Sequence, residues 1–81
     1  MNDKAIRVSV IMGIEYEFSR FAPSVGDLTE HEGKIWECIG YNIDSTGETF
    51  ELRHKNISRT IHYSIGEYCY LEKVLKVRPL N

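Results

Sequence analysis

Turn-forming residues punctuate this sequence at near-even intervals, and that spacing leaves room only for short elements between them. The marks are Pro23-Ser24-Val25-Gly26, His31-Glu32-Gly33-Lys34, Asp44-Ser45-Thr46-Gly47, Lys55-Asn56 and Ile65-Gly66. The runs between them are rich in Ile, Val, Tyr, Phe and Thr, which fit a pleated surface. The expectation is a mainly β fold, a coiled meander of five to six strands. Its 81 residues suit one domain with one core. An open antiparallel sheet of this size leaves edges uncovered, so closure into a small barrel is the expected architecture.

Alternation assigns the faces. Ile6, Val8, Val10 and Met12 fall on one side of the first run and Arg7 and Ser9 on the other. After Gly13, Ile14, Tyr16 and Phe18 alternate with Glu15, Glu17 and Ser19. Residues 5–21 therefore read as one kinked strand or two paired ones, with the acidic pair facing water. In the run from Lys34 to Ile43, Ile35, Ile39, Tyr41 and Ile43 share one side and Trp36 and Cys38 the other, the pattern of a central strand. Phe50 and Leu52 point inward on the next strand. Ile57, Ile61 and Tyr63 do so on its partner, joined through the tight turn at Lys55-Asn56. The stretch from Glu67 to Val77 supports two readings. Ser64 and Glu67 have capping-box spacing and Tyr68, Leu71 and Leu75 recur at helical intervals, yet Tyr68 to Leu71 and Val74 to Val77 also read as strands. A short C-terminal helix thus stays open beside a strand, and Pro79 ends either.

The segment from Val25 through Gly26-Asp27, the polar turn at His31-Glu32-Gly33 and the returning Ile35-Trp36-Glu37-Cys38-Ile39-Gly40-Tyr41 resembles the opening of SH3-like barrels of the Tudor and KOW kind. There a Gly-Asp enters a strand, a polar turn follows and an aromatic-rich strand returns. The resemblance spans about a third of the chain and implies a binding module rather than an enzyme.

Charge narrows the function classes. The formal net charge of -2 disfavours a general nucleic-acid coat or a polybasic membrane binder. It hides an asymmetry: residues 1–51 hold four basic and ten acidic side chains, net -6, and residues 52–81 hold six basic and two acidic, net +4. No stretch approaches the roughly 18 apolar residues of a membrane-spanning helix, and the charged start is no signal peptide, so a cytoplasmic chain with no membrane partner is expected. Cys38 and Cys69 are too few for a disulfide framework and are expected as thiols.

Chemistry-bearing constellations are sparse. His31, Cys38, His54, His62 and Cys69 lack the close ligand pairs of structural zinc, so no metal or other cofactor is expected. There is no nucleophile elbow and no phosphate-cradling glycine loop, and the strand-spaced pairs Glu15 with Glu17 and Glu30 with Glu32 suit a solvated edge better than acid–base work. A barrel filled by its own core leaves little space for a substrate cavity, and no catalysis is expected.

Two binding readings remain. The first is a module or small inhibitor that docks on a protein through an acidic face of Glu15, Glu17, Glu30, Glu32 and Glu48, with Trp36 as an anchor. In style it is similar to the small host-directed proteins of bacterial viruses, including those that act on nucleic-acid-handling enzymes. The alternative is nucleic-acid binding by the basic hairpin, where Arg53, His54, Lys55, Arg59 and His62 fall within ten residues containing no acid, with Tyr63 close behind for stacking. Exposed edges such as Ile6–Met12 also offer pairing with a second copy as a homodimer.

Overall fold

The computed structural model describes residues 7–64 and 74–80. Seven strands form one antiparallel sheet: β1 (Arg7–Ile11), β2 (Ile14–Phe18), β3 (Leu28–His31), β4 (Lys34–Asp44), β5 (Gly47–His54), β6 (Ile57–Ser64) and β7 (Lys76–Pro79). Their order is β1-β2-β7-β3-β4-β5-β6. The mainly β expectation holds, with two corrections. Among the described residues there are seven strands rather than five or six, and the sheet is open, with β1 and β6 as its edges rather than partners closing a barrel. The cause is β7, which inserts between β2 and β3 instead of bridging the edges.

The helical reading of the tail also changes. Lys76 and Val77 are strand residues, Val77 lying between Phe18 on β2 and Leu28 on β3. Residues 67–73 of that reading lie outside the described residues, which contain no helix. Pro79 stands opposite Tyr16, beyond the point where β3 pairs with β7, so its missing N–H leaves no ladder bond unmade.

Two-residue turns close the hairpins. Met12-Gly13 joins β1 to β2 with φ of 53° and 85°, and Glu32-Gly33 joins β3 to β4 with 55° and 80°. Positive φ at both turn residues matches the right-handed twist of the flanking strands. β1 and β2 are therefore two strands, with Val10 opposite Glu15 and Val8 opposite Glu17. Of the one-strand and two-strand readings of residues 5–21 the second holds: Ile11 is buried, while Val8 and Val10 share the solvent side with the two glutamates and Met12 stands exposed in the turn.

A further correction lies in β4. The register shifts between Cys38 and Gly40, a bulge that reverses the alternation. Tyr41 then stands opposite Phe50, on the same side as Cys38 opposite Leu52. Trp36, Cys38, Tyr41 and Ile43 thus share a face that simple alternation divides.

Hydrophobic clusters lie on both sides of the sheet. Ile11, Tyr16, Phe18, Leu75 and Val77 form one, packed by Leu28 and Ile35. Trp36, Cys38, Phe50, Leu52 and Val74 form the other, packed by Ala22, Ile61 and Tyr63. The loop from β2 to β3 is held against β4, where the Gly26 N–H donates to the Cys38 carbonyl and the Cys38 N–H to the Asp27 carbonyl, both at 2.8 Å. Thr29, fully buried, donates its hydroxyl to the Leu75 carbonyl at 2.7 Å.

Gly47, opposite Ser64 at the start of β5, is held at φ 141°, and a Cβ there would sit 2.0 Å from the Tyr63 carbonyl oxygen. Gly47→Ala is expected to lower the unfolding free energy in urea by about 3 kcal/mol. Gly13→Ala, at a turn with open space around it, should lose only about 1 kcal/mol. Equal losses would show that the backbone of β6 gives way freely beside Gly47.

Candidate functional site

The hairpin β5–β6 divides the expected basic site between two faces. Arg53 pairs with Ser58 and Thr49 with His62, placing Arg53 and His62 on one side, whereas His54, Arg59 and Tyr63 fall on the other with Leu52 and Phe50. Lys55 forms the turn, with φ 57°. The cations are largely engaged within the molecule. Arg53 Nη2 donates to Glu37 Oε1 at 3.1 Å, and Arg59 Nη1 to Glu32 Oε1 at 2.5 Å. The His62 ring hydrogen-bonds the Thr49 hydroxyl across the strands at 2.9 Å, and Tyr63 is half-buried.

Trp36 organises the side that carries Arg59. It is 2% exposed, so it is a core residue and not the surface anchor expected from the sequence. Its Nε1–H donates to the His31 carbonyl at 3.0 Å. The Arg59 guanidinium lies 5.3 Å from the ring centroid, within cation–π range. His31 meets the indole edge-on at 5.9 Å and His54 tilts against it at 5.4 Å. Because a carbonyl only accepts, the 2.9 Å contact from His54 Nδ1 to the Ile35 carbonyl places the proton on Nδ1. Glu32 reaches from the β3–β4 turn to complete the clasp, and the Arg59 guanidinium holds its carboxyl below the usual glutamate range.

The acidic residues do not form one face either. Glu30 spends Oε2 on the Gly33 N–H at 2.8 Å and lies on the opposite side from Glu15 and Glu17, since Leu28 pairs with Val77 and Arg78 with Glu17. Glu17 is half-buried and ion-paired with Arg78. Glu48 stands between Ile43 and Tyr63 and is only 5% exposed, so it leaves the proposed surface together with Trp36. Alternation carried the signal, since Glu48 falls on the same side of β5 as the inward Phe50 and Leu52.

Two chemical possibilities find no support in the geometry. Among the described residues no three His, Cys, Asp or Glu side chains converge as metal ligands. His54 and His62 point to opposite faces, and Cys69 lies outside the described residues. Cys38 is fully buried, and burial pushes its thiol up, away from the thiolate a nucleophile needs.

What stands open is the β1–β2 hairpin. Val8 is 50% exposed and Val10 65%, sharing one side with Glu15 and Glu17, and Met12 in the adjoining turn is 80% exposed. The result is an aliphatic strip at a sheet edge, rimmed by carboxylates. Alternation grouped these valines without placing them beside the acidic pair, although a signal was present. A two-residue turn at Met12-Gly13 forces Val10 opposite Glu15, so the two must share a face.

Comparison with protein-family models, curated proteins and solved structures returned no match. No helix among the described residues is long and apolar enough to cross a membrane.

The Glu32–Arg59 clasp is testable through Trp36. Because the folded state depresses the Glu32 carboxyl, the ion pair is intact above the ordinary glutamate range and is lost as pH falls through the lowered value. The Trp36 indole N–H resonance should therefore step with an apparent midpoint below that range, and the step should vanish in both Glu32→Gln and Arg59→Ala. A step that persists in both variants would assign the titration to another carboxylate.

Proposed function

We propose that this chain is a non-catalytic binding module that docks on a protein partner through the β1–β2 hairpin. The observation that carries the reading is the exposed row Val8, Val10 and Met12 beside Glu15 and Glu17. Contiguous aliphatic surface on a small domain is the usual mark of an interaction site. The exposed Glu15 carboxylate, beside a Glu17 already paired with Arg78, favours partners whose apolar surface is bordered by basic groups, as on enzymes that handle nucleic acid, and speeds their approach. Nucleic-acid binding is the weaker reading. A phosphate would have to displace Glu37 from Arg53 and Glu32 from Arg59, and the residues of the basic stretch face two ways.

The test compares three forms of the protein in affinity capture from cell extract: the native chain, Val8→Lys with Val10→Lys, and Arg53→Glu with Lys55→Glu. A partner retained by the native chain and the charge-reversed hairpin but lost from the double-lysine form supports docking through β1–β2. In parallel, amide shifts are recorded against short oligonucleotides at two salt concentrations. Salt-sensitive shifts centred on residues 53–63, together with a partner indifferent to the lysines, would overturn the reading in favour of nucleic acid.

A further inference from the structure

We propose that β1 pairs antiparallel with β1 of a second copy, joining two sheets edge to edge about a two-fold axis at Ser9. The backbone of β1 is the first observation. The turn Met12-Gly13 is closed by Ile11 opposite Ile14, and antiparallel ladders alternate hydrogen-bonded and non-bonded pairs. Arg7, Ser9 and Ile11 therefore direct their N–H and C=O groups to β2. The Leu80 N–H donating to the Glu15 carbonyl at 3.0 Å fixes the same phase, because it turns the backbone of Glu15 toward β7 and away from β1. Val8 and Val10 are left with both backbone groups pointing outward. Among the described residues no strand pairs with that side.

The second observation is that this edge complements itself. With Ser9 opposite Ser9 of the second copy, Val8 stands opposite Val10 and Val10 opposite Val8. This register is the one in which both outward residues of each strand pair within Arg7–Ile11. Its four outward N–H and four outward C=O groups all find partners. On one face two valines of each copy meet directly, and β-branched pairs of this kind favour a ladder. On the other face Arg7 meets Ile11, so no like charges oppose one another. Each row of the solvent side runs from a glutamate through two valines to a glutamate, which separates the carboxylates by three strand spacings, about 14 Å. That exceeds the roughly 8–10 Å screening length at physiological salt, so repulsion between them is slight.

The opposite edge lacks these properties. In β6 the residues with outward backbone groups are Ser58, Thr60, His62 and Ser64, and their neighbours across the ladder include Glu51 and Arg53. Polar and charged edges of that kind resist pairing. A strand pair of five residues buries far less than the roughly 1,200–2,000 Å² of stable complexes, so the dimer should be weak, with Kd between about 10 µM and 1 mM. Pairing leaves the valine side chains on the surface and fuses two strips into one. That enlarged docking surface rests on the function proposed above, whereas the pairing itself does not.

The test needs no partner protein. Sedimentation equilibrium of the full chain from about 1 µM to 1 mM should show the mass rising from 9.4 kDa toward twice that value. Val10→Pro removes one outward N–H without touching the β1–β2 hydrogen bonds, and should hold the mass at one chain while leaving the Trp36 indole resonance unchanged. Thr60→Pro, which makes the same change on the β6 edge, should dimerise as the native chain does. Filtered nuclear Overhauser spectra of mixed labelled and unlabelled chains should show Val8 to Val10 contacts between copies. A native chain that stays monomeric throughout, or a dimer abolished by Thr60→Pro but not by Val10→Pro, would overturn the proposal. A monomer that still loses its captured partner through the lysine substitutions would leave the docking function standing alone.

Discussion

The sheet depends on β7. Without it, the β1–β2 hairpin and the β3–β6 meander share no ladder, since β2 and β3 meet only through the strand between them. The tail also contributes to both hydrophobic clusters, Val74 to one and Leu75 and Val77 to the other. Its entry is fixed by hydrogen bonds from the Lys76 N–H to the Phe21 carbonyl at 2.7 Å and from Thr29 to Leu75, 46 residues apart. Contacts so distant in sequence form only after a large loop has closed, which makes the completed sheet a late and cooperative product of folding. A chain whose last strand lies at its centre stabilises both halves together.

Charge follows the same plan. The acidic first part and basic second part do not become two opposed faces. The register lays them against each other, and Glu17 with Arg78, Glu32 with Arg59 and Glu37 with Arg53 each join a residue of 1–51 to one of 52–81. Exposed pairs contribute modestly to stability. Their larger consequence is for recognition, because the arginines that look free for phosphate in the sequence already hold carboxylates in the fold.

What could be read from the sequence was local. The β5–β6 hairpin, the turn at Lys55-Asn56 and the inward Phe50 and Leu52 follow from alternation and turn chemistry, both properties of adjacent residues. The errors arise where the pairing of one strand with another decides. Alternation across β4 fails at a one-residue bulge, which moves Tyr41 and Ile43 to the side of Trp36. The Val74–Val77 stretch carries helical and strand patterns at once, and the waiting edges of β2 and β3 settle it. For the site, alternation found the valine row and the acidic pair but did not bring them to one side. Trp36 and Glu48 were assigned to the surface by residue type, although Glu48 shares the parity of the inward Phe50 and Leu52, while Trp36 is packed in one cluster with Val74 and Ala22, distant in the chain.

The two edges of the sheet show where stability has been given up. Burying a valine side chain contributes roughly 1.5 kcal/mol or more, and a domain of this size is marginal enough to need such contributions. Val8 and Val10 nevertheless lie outside both clusters, on a strand with no lysine, proline or bulge between Arg7 and Ile11 to discourage pairing. β6, of similar exposure, turns serine, threonine and histidine outward instead. Fold stability alone gives no reason for this difference, because either edge serves equally well as the end of a sheet. The docking proposed for β1–β2 would supply one: three arginines are committed to internal ion pairs and Trp36 lies inside, while Val8 and Val10 stay exposed at the sheet edge.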